Sequence, residues 1–115
     1  MTTIYHVTKS WDGNDLRSLA RQCDDGDLSL DDALEMIASK WSDVRPEEYL
    51  DTDGHQIHCH STIEAAVSFR DEFCEGGEIL EIDTTELRVM VGSEYPHPVV
   101  ADTIPAECIT IAITA

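Results

Sequence analysis

Residues 55–62 read HQIHCHST, placing His55, His58, Cys59 and His60 within six positions. Imidazole serves as a metal ligand, a general acid or base, or a hydrogen-bond partner for hydroxyl groups, and a thiolate serves as ligand or nucleophile. On a strand, alternation puts Ile57 and Cys59 on one face and His58 and His60 on the other. Zinc held by His55, His58 and His60 is one reading. The spacing matches no zinc motif, however, and structural zinc takes four ligands. A hydrolase built on Ser61 is another. It is opposed by the lack of a Gly-x-Ser-x-Gly elbow and by the position of Ser61 in Ser61-x-x-Glu64, a helix-capping pattern. The expectation is therefore a strand that walls a cleft and runs into a capped helix, with no metal. Two other motifs carry less. DTDG (51–54) lacks the later ligands of a calcium loop and reads as a turn, and Gly76-Gly77 stops a helix rather than cradling a phosphate.

The elements that must position these groups follow from periodicity. TIYHVT (3–8) alternates as a strand, with Tyr5 and Val7 on one face and Ile4 and His6 on the other. Leu16, Leu19, Ala20 and Cys23 recur at helical spacing. Ser29 and Asp32 then open a second helix striped by Ala33, Leu34, Ile37, Ala38 and Trp41, with Pro46 beyond its end. A third helix starts at Ser61 and turns Ala66, Phe69 and Phe73 to the core. Strands are expected at 56–60, 78–82, 87–91, 98–100 and 108–114. This order predicts one α+β domain over residues 1–115, a split, mainly antiparallel sheet with three helices.

Charge sorts the partners. The 115-residue chain has 24 acidic and 7 basic residues, a formal net charge of −17. Such a field repels nucleic acid and anionic membranes and draws basic surfaces, so a basic protein partner fits and direct nucleic-acid binding does not. Only two of the basic residues are lysines, Lys9 and Lys40, as in a halophile-like coat. A nucleic-acid mimic that occupies the groove of a basic enzyme, in the manner of phage-encoded anti-CRISPR inhibitors, has the same composition. No apolar run nears the roughly 20 residues of a membrane span, and MTTIYHVTK does not read as a signal peptide. A cytoplasmic protein is expected. Cys23, Cys59, Cys74 and Cys108 form no CxxC pair and read as free thiols.

Four segments in order carry a resemblance. IYHVT (4–8) resembles the YHxT first strand of a small bacterial family of unknown function. IHCHST (57–62) resembles that family's IHCST motif with one inserted residue, EYPH (94–97) its Glu-x-Pro-His motif, and IPAECI (104–109) its closing strand entry. The resemblance leaves residues 24–54 uncovered. It implies an ADP-ribosyltransferase-like fold, a split sheet around a cleft for NAD or a related nucleotide, and a domain that transfers or hydrolyses ADP-ribose. By that likeness His6 orients the ribose, and Thr8, His58, His60, Ser61, Thr62 and His97 line the cofactor site. Glu94 or Glu107 is the acid that stabilises the oxocarbenium ion. His58 and His60 stand where the wider superfamily has a stacking ring.

Overall fold

A computed structural model describes residues 3–91 and 97–114. The described elements are β1 (Thr3–Thr8), β2 (Leu16–Arg17), α1 (Leu19–Asp24), α2 (Leu30–Lys40), α3 (Pro46–Asp51), β3 (Gln56–His58), α4 (Ile63–Phe73), β4 (Glu78–Asp83), β5 (Met90–Val91), β6 (Pro98–Ala101), β7 (Thr103–Ile104) and β8 (Ile109–Ile113). The fold is α+β, and its resolved strand pairings are antiparallel. Four helices stand where three were expected. The additional one, α3, begins at Pro46 with Glu47 and Glu48 in its first turn. Pro46 lies beyond the end of α2 as expected, and it also starts a helix of its own, because proline lacks only a hydrogen that the first turn leaves unbonded and acidic groups suit the positive helix end.

The chain divides into two compact units. The first comprises residues 1–16, 58–100 and 104–115, and the second residues 17–57 and 101–103. In the first, β4 is the middle strand of β1-β4-β8. Ile4 pairs with Ile82 and His6 with Leu80 across the β1–β4 ladder. Both faces of β4 carry apolar groups, and Ile79, Leu80 and Ile82 are buried with Ile4, Val99 and Ile109. A register shift between Ile79 and Leu80 skips Ala112 on β8. β5 and β6 pair separately, Met90 with Val99 and Val91 with Pro98. Residues 58–60 lie between these groups of strands. Tyr5 and His60 exchange both backbone bonds at 2.9 and 2.7 Å, and the Cys59 N–H donates to Pro98 O at 2.9 Å.

Helix α4 lies in the same unit. Its cap is Thr62, whose Oγ1 accepts from the Ala65 N–H at 3.1 Å, and not Ser61 as the pattern predicted. The two hydroxyls are adjacent, and the one with extended backbone directly before the first helical residue takes the role. Ala66 is buried as expected, while Phe73 is 45% exposed.

In the second unit, Ser29 caps α2 as predicted, its Oγ accepting from the Asp32 N–H at 3.1 Å. Ala20, Ala33, Ile37 and Leu50 form the core, with Leu34, Trp41, Val44 and Tyr49 packed against it. Ala38, expected on that stripe, is exposed. Residues 16–17 form β2 rather than the first turn of a helix, so α1 starts only after its Ser18 cap. Arg17 pairs with Asp25 at 2.9 Å and Asp27 at 2.6 Å, and Arg21 with Asp25 at 3.1 Å. Asp102, at φ 67°, accepts from the Ser18 N–H and donates to His55 O. Among the described residues no helix is long and apolar enough to cross a membrane.

Candidate functional site

The first unit gathers histidines from three separate segments. His6 is held on β1 by its ladder with β4. Its Nδ1 lies 2.8 Å from the carbonyl oxygen of His58. A carbonyl only accepts, so His6 Nδ1 carries the hydrogen, which leaves Nε2 as the acceptor nitrogen of the neutral ring. His58 then reaches the segment before β6, its Nδ1 standing 2.7 Å from Nε2 of His97. The two rings are 5.0 Å apart between centroids and tilted by 35°. One ring must donate and the other accept, so this contact needs one unprotonated nitrogen between the two.

His60 is placed differently. Its backbone bonds tie it to Tyr5, and its ring packs 5.0 Å from Phe69, which lies 4.9 Å from Phe73. Burial holds the His60 imidazole below its ordinary value, and charge on His97 adds to the effect. A neutral ring beside phenylalanine behaves as an aromatic packing group. Phe69 is the neighbour that reasoning from the sequence left in the core, although its place two turns into the helix after His60 hinted at the contact.

Alternation also disposes of the thiol between the histidines. Cys59 is fully buried on the face opposite to them, and burial pushes it up to about 12. A thiol so protonated is neither nucleophile nor ligand. All four cysteines are free.

The remaining predicted residues are dispersed. Thr8 closes β1, two residues beyond His6 on the same strand face. Ser61 is exposed, and the hydroxyl of Thr62 is engaged in capping α4. Glu94 lies outside the described residues. Glu107 lines a shallow depression of about 430 Å³ with Thr3, Glu81, Asp83, Thr85, Cys108 and Thr110, and no histidine lines it. Carboxylates and threonines dominate there. Burial, followed by the charges of Glu107, Asp83 and Glu86, pushes the Cys108 thiol up, while bonds from Thr85 hold Asp83 below its ordinary value. The structure thus brings His6, His58 and His97 together and keeps Glu107 in an acidic setting of its own.

Among the described residues no group of three or more His, Cys, Asp or Glu side chains is arranged to hold a metal ion. Imidazole nitrogens suit the hydroxyls of a ribose. A pyrophosphate would look to Lys9, Arg70 or Arg88, the only basic residues of this unit, and Arg70 is paired with Asp71 at 3.3 Å. Comparison of the chain with protein families, curated proteins and solved structures finds no match.

Proposed function

We propose that the protein is an ADP-ribosyltransferase-like domain that binds NAD or a related nucleotide and transfers or hydrolyses ADP-ribose. One observation carries this reading. His6, His58 and His97 come from three motifs spread over 92 residues and form a chain of contacts at 2.8 and 2.7 Å. In the proposed site His6 is the ribose partner. With Nδ1–H committed to the His58 carbonyl, the His6 ring is held in one tautomer, the form that offers imidazole hydrogen bonding to a ligand hydroxyl. Glu94, three residues before His97, supplies the carboxylate that offsets positive charge developing on the ribosyl carbon. Glu107, set among Glu81 and Asp83, is the less suited of the two acids.

Calorimetric titration with NAD and with ADP-ribose tests the proposal. Saturable binding is expected for the wild type, weakened at least about tenfold in His6→Ala, as the loss of one oriented hydrogen bond in a desolvated site would give. Glu94→Gln should keep binding and lose turnover. Absence of heat with either nucleotide at millimolar concentration refutes the reading.

A second reading is favoured by the charge alone. Acidic residues outnumber basic ones twelve to three in the first unit and twelve to four in the second, as befits a non-enzymatic protein that blocks a basic, nucleic-acid-handling partner. Its binding would weaken steeply with added salt.

A further inference from the structure

Helix α2 stripes its inner side with Ala33 and Ile37, and helical spacing turns Asp32, Glu35, Met36 and Ser39 away from them. These four residues and Leu28 line a shallow groove of about 400 Å³. Leu28 also packs against the core of the second unit, so the groove floor is continuous with that core. Met36 is 50% exposed. Unbranched and polarisable, methionine adapts its shape to whatever covers it. Asp32 and Glu35 are both exposed at the groove, with Asp31 adjacent in the first turn. None of these three carboxylates is in an ion pair among the described residues, whereas Arg17 and Arg21 are occupied by Asp25, Asp27 and Asp102.

We propose that this groove docks a basic, amphipathic segment of a partner protein. A large apolar side chain of the segment sits against Met36 and Leu28, and lysines or arginines beside it meet Asp32 and Glu35. Charge complementarity selects the occupant. A second copy of this chain would bring another −17 of like charge, and an acidic segment would meet the same repulsion. The apolar floor adds what charge alone lacks, a local anchor that fixes where and in what register a segment lies. The proposal is independent of the nucleotide reading. It narrows the charge reading to one helix face.

The test is a fluorescence-anisotropy titration of the full chain with a labelled peptide of lysine and leucine, the leucines at helical spacing. Met36→Ser removes the anchor without altering charge. Asp32→Asn with Glu35→Gln removes two charges at the groove. Glu72→Gln with Glu75→Gln removes the same two charges elsewhere, at exposed positions near the end of α4. Saturable binding is expected, with the dissociation constant raised at least about fivefold by Met36→Ser. The groove pair should raise it by about threefold or more at low salt, and the control pair by less than about twofold. Equal losses from the two charge pairs would overturn the groove and leave general attraction. So would an unchanged affinity in Met36→Ser, or no binding. Far-UV circular dichroism of each variant confirms that it is folded.

Discussion

The first unit buries Ile4, Ile79, Leu80, Ile82, Val99 and Ile104 completely, while in the second only Ala33 reaches that state and Ile37 and Leu50 keep 2% and 8% exposure. Strands present branched side chains to both sides of a shared sheet. Short helices meet through small residues and are pinned at their rims by caps and by the Arg17 and Arg21 ion pairs. The candidate histidines stand on the strand-built unit, where His6 is fixed by its ladder with β4. The candidate docking groove stands on the helical one, where an exposed methionine can adjust. Rigidity and adaptability are thus divided between the two proposed roles.

The largest effect that would sharpen this contrast is core truncation. Ile82→Ala on the central strand should cost about 4 kcal/mol, and Ile37→Ala about 2–3 kcal/mol because the thinner helical core relaxes around the loss. Equal costs by urea denaturation would remove the distinction. Next are two glycines. A Cβ on Gly77 would meet Thr8 O at 2.7 Å and Cys74 Sγ at 2.8 Å, while Gly26, at φ 79°, has nothing within 4 Å. Gly77→Ala should therefore cost about 2–3 kcal/mol through crowding of the backbone beside β1. Gly26→Ala should cost about 1 kcal/mol through its left-handed conformation alone. If the two losses came out alike, the close approach at β1 would have no energetic weight.

The smallest effect is titration of His60. Its folded-state imidazole lies below the ordinary value of 6.5, so the unfolded chain takes up the proton first. Its contribution to stability is full above that value and is lost as the pH falls from about 6.5 through the folded value. The urea midpoint should drop on acidification across this window, and the drop should shrink in His60→Phe. An unaltered slope in the variant would assign the acid sensitivity to other groups.

Alternation made β1 legible as a strand, and it set Cys59 apart from His58 and His60. The Ser29 cap was legible because a hydroxyl, two acidic residues and an apolar stripe agree there. Pro46 does lie beyond the end of α2, but the short helix it begins was not legible, because proline is compatible with either side of a helix boundary. Ser61 and Thr62 are equivalent as caps until the backbone chooses. The contact of His58 with His97 spans 39 positions, and no local pattern encodes a pairing that depends on β6 lying beside residues 58–60. The same holds for Glu107, whose neighbours Thr3 and Asp83 come from β1 and β4.

The β1-β4-β8 order also has a consequence for the timing of folding. Strand β4 joins residues 3–8 on one side to residues 109–113 on the other, so its second partner leaves the ribosome some 30 residues after it does. Helices α1 to α3 close over short separations and need no such wait. Chains dominated by distant pairings fold slowly because the entropy of closing a long loop is lost before the contacts form. Until β8 arrives, Ile79, Leu80 and Ile82 lack one of their neighbouring strands, and this interval is when the nascent chain is most exposed to chaperones and to association with its own kind.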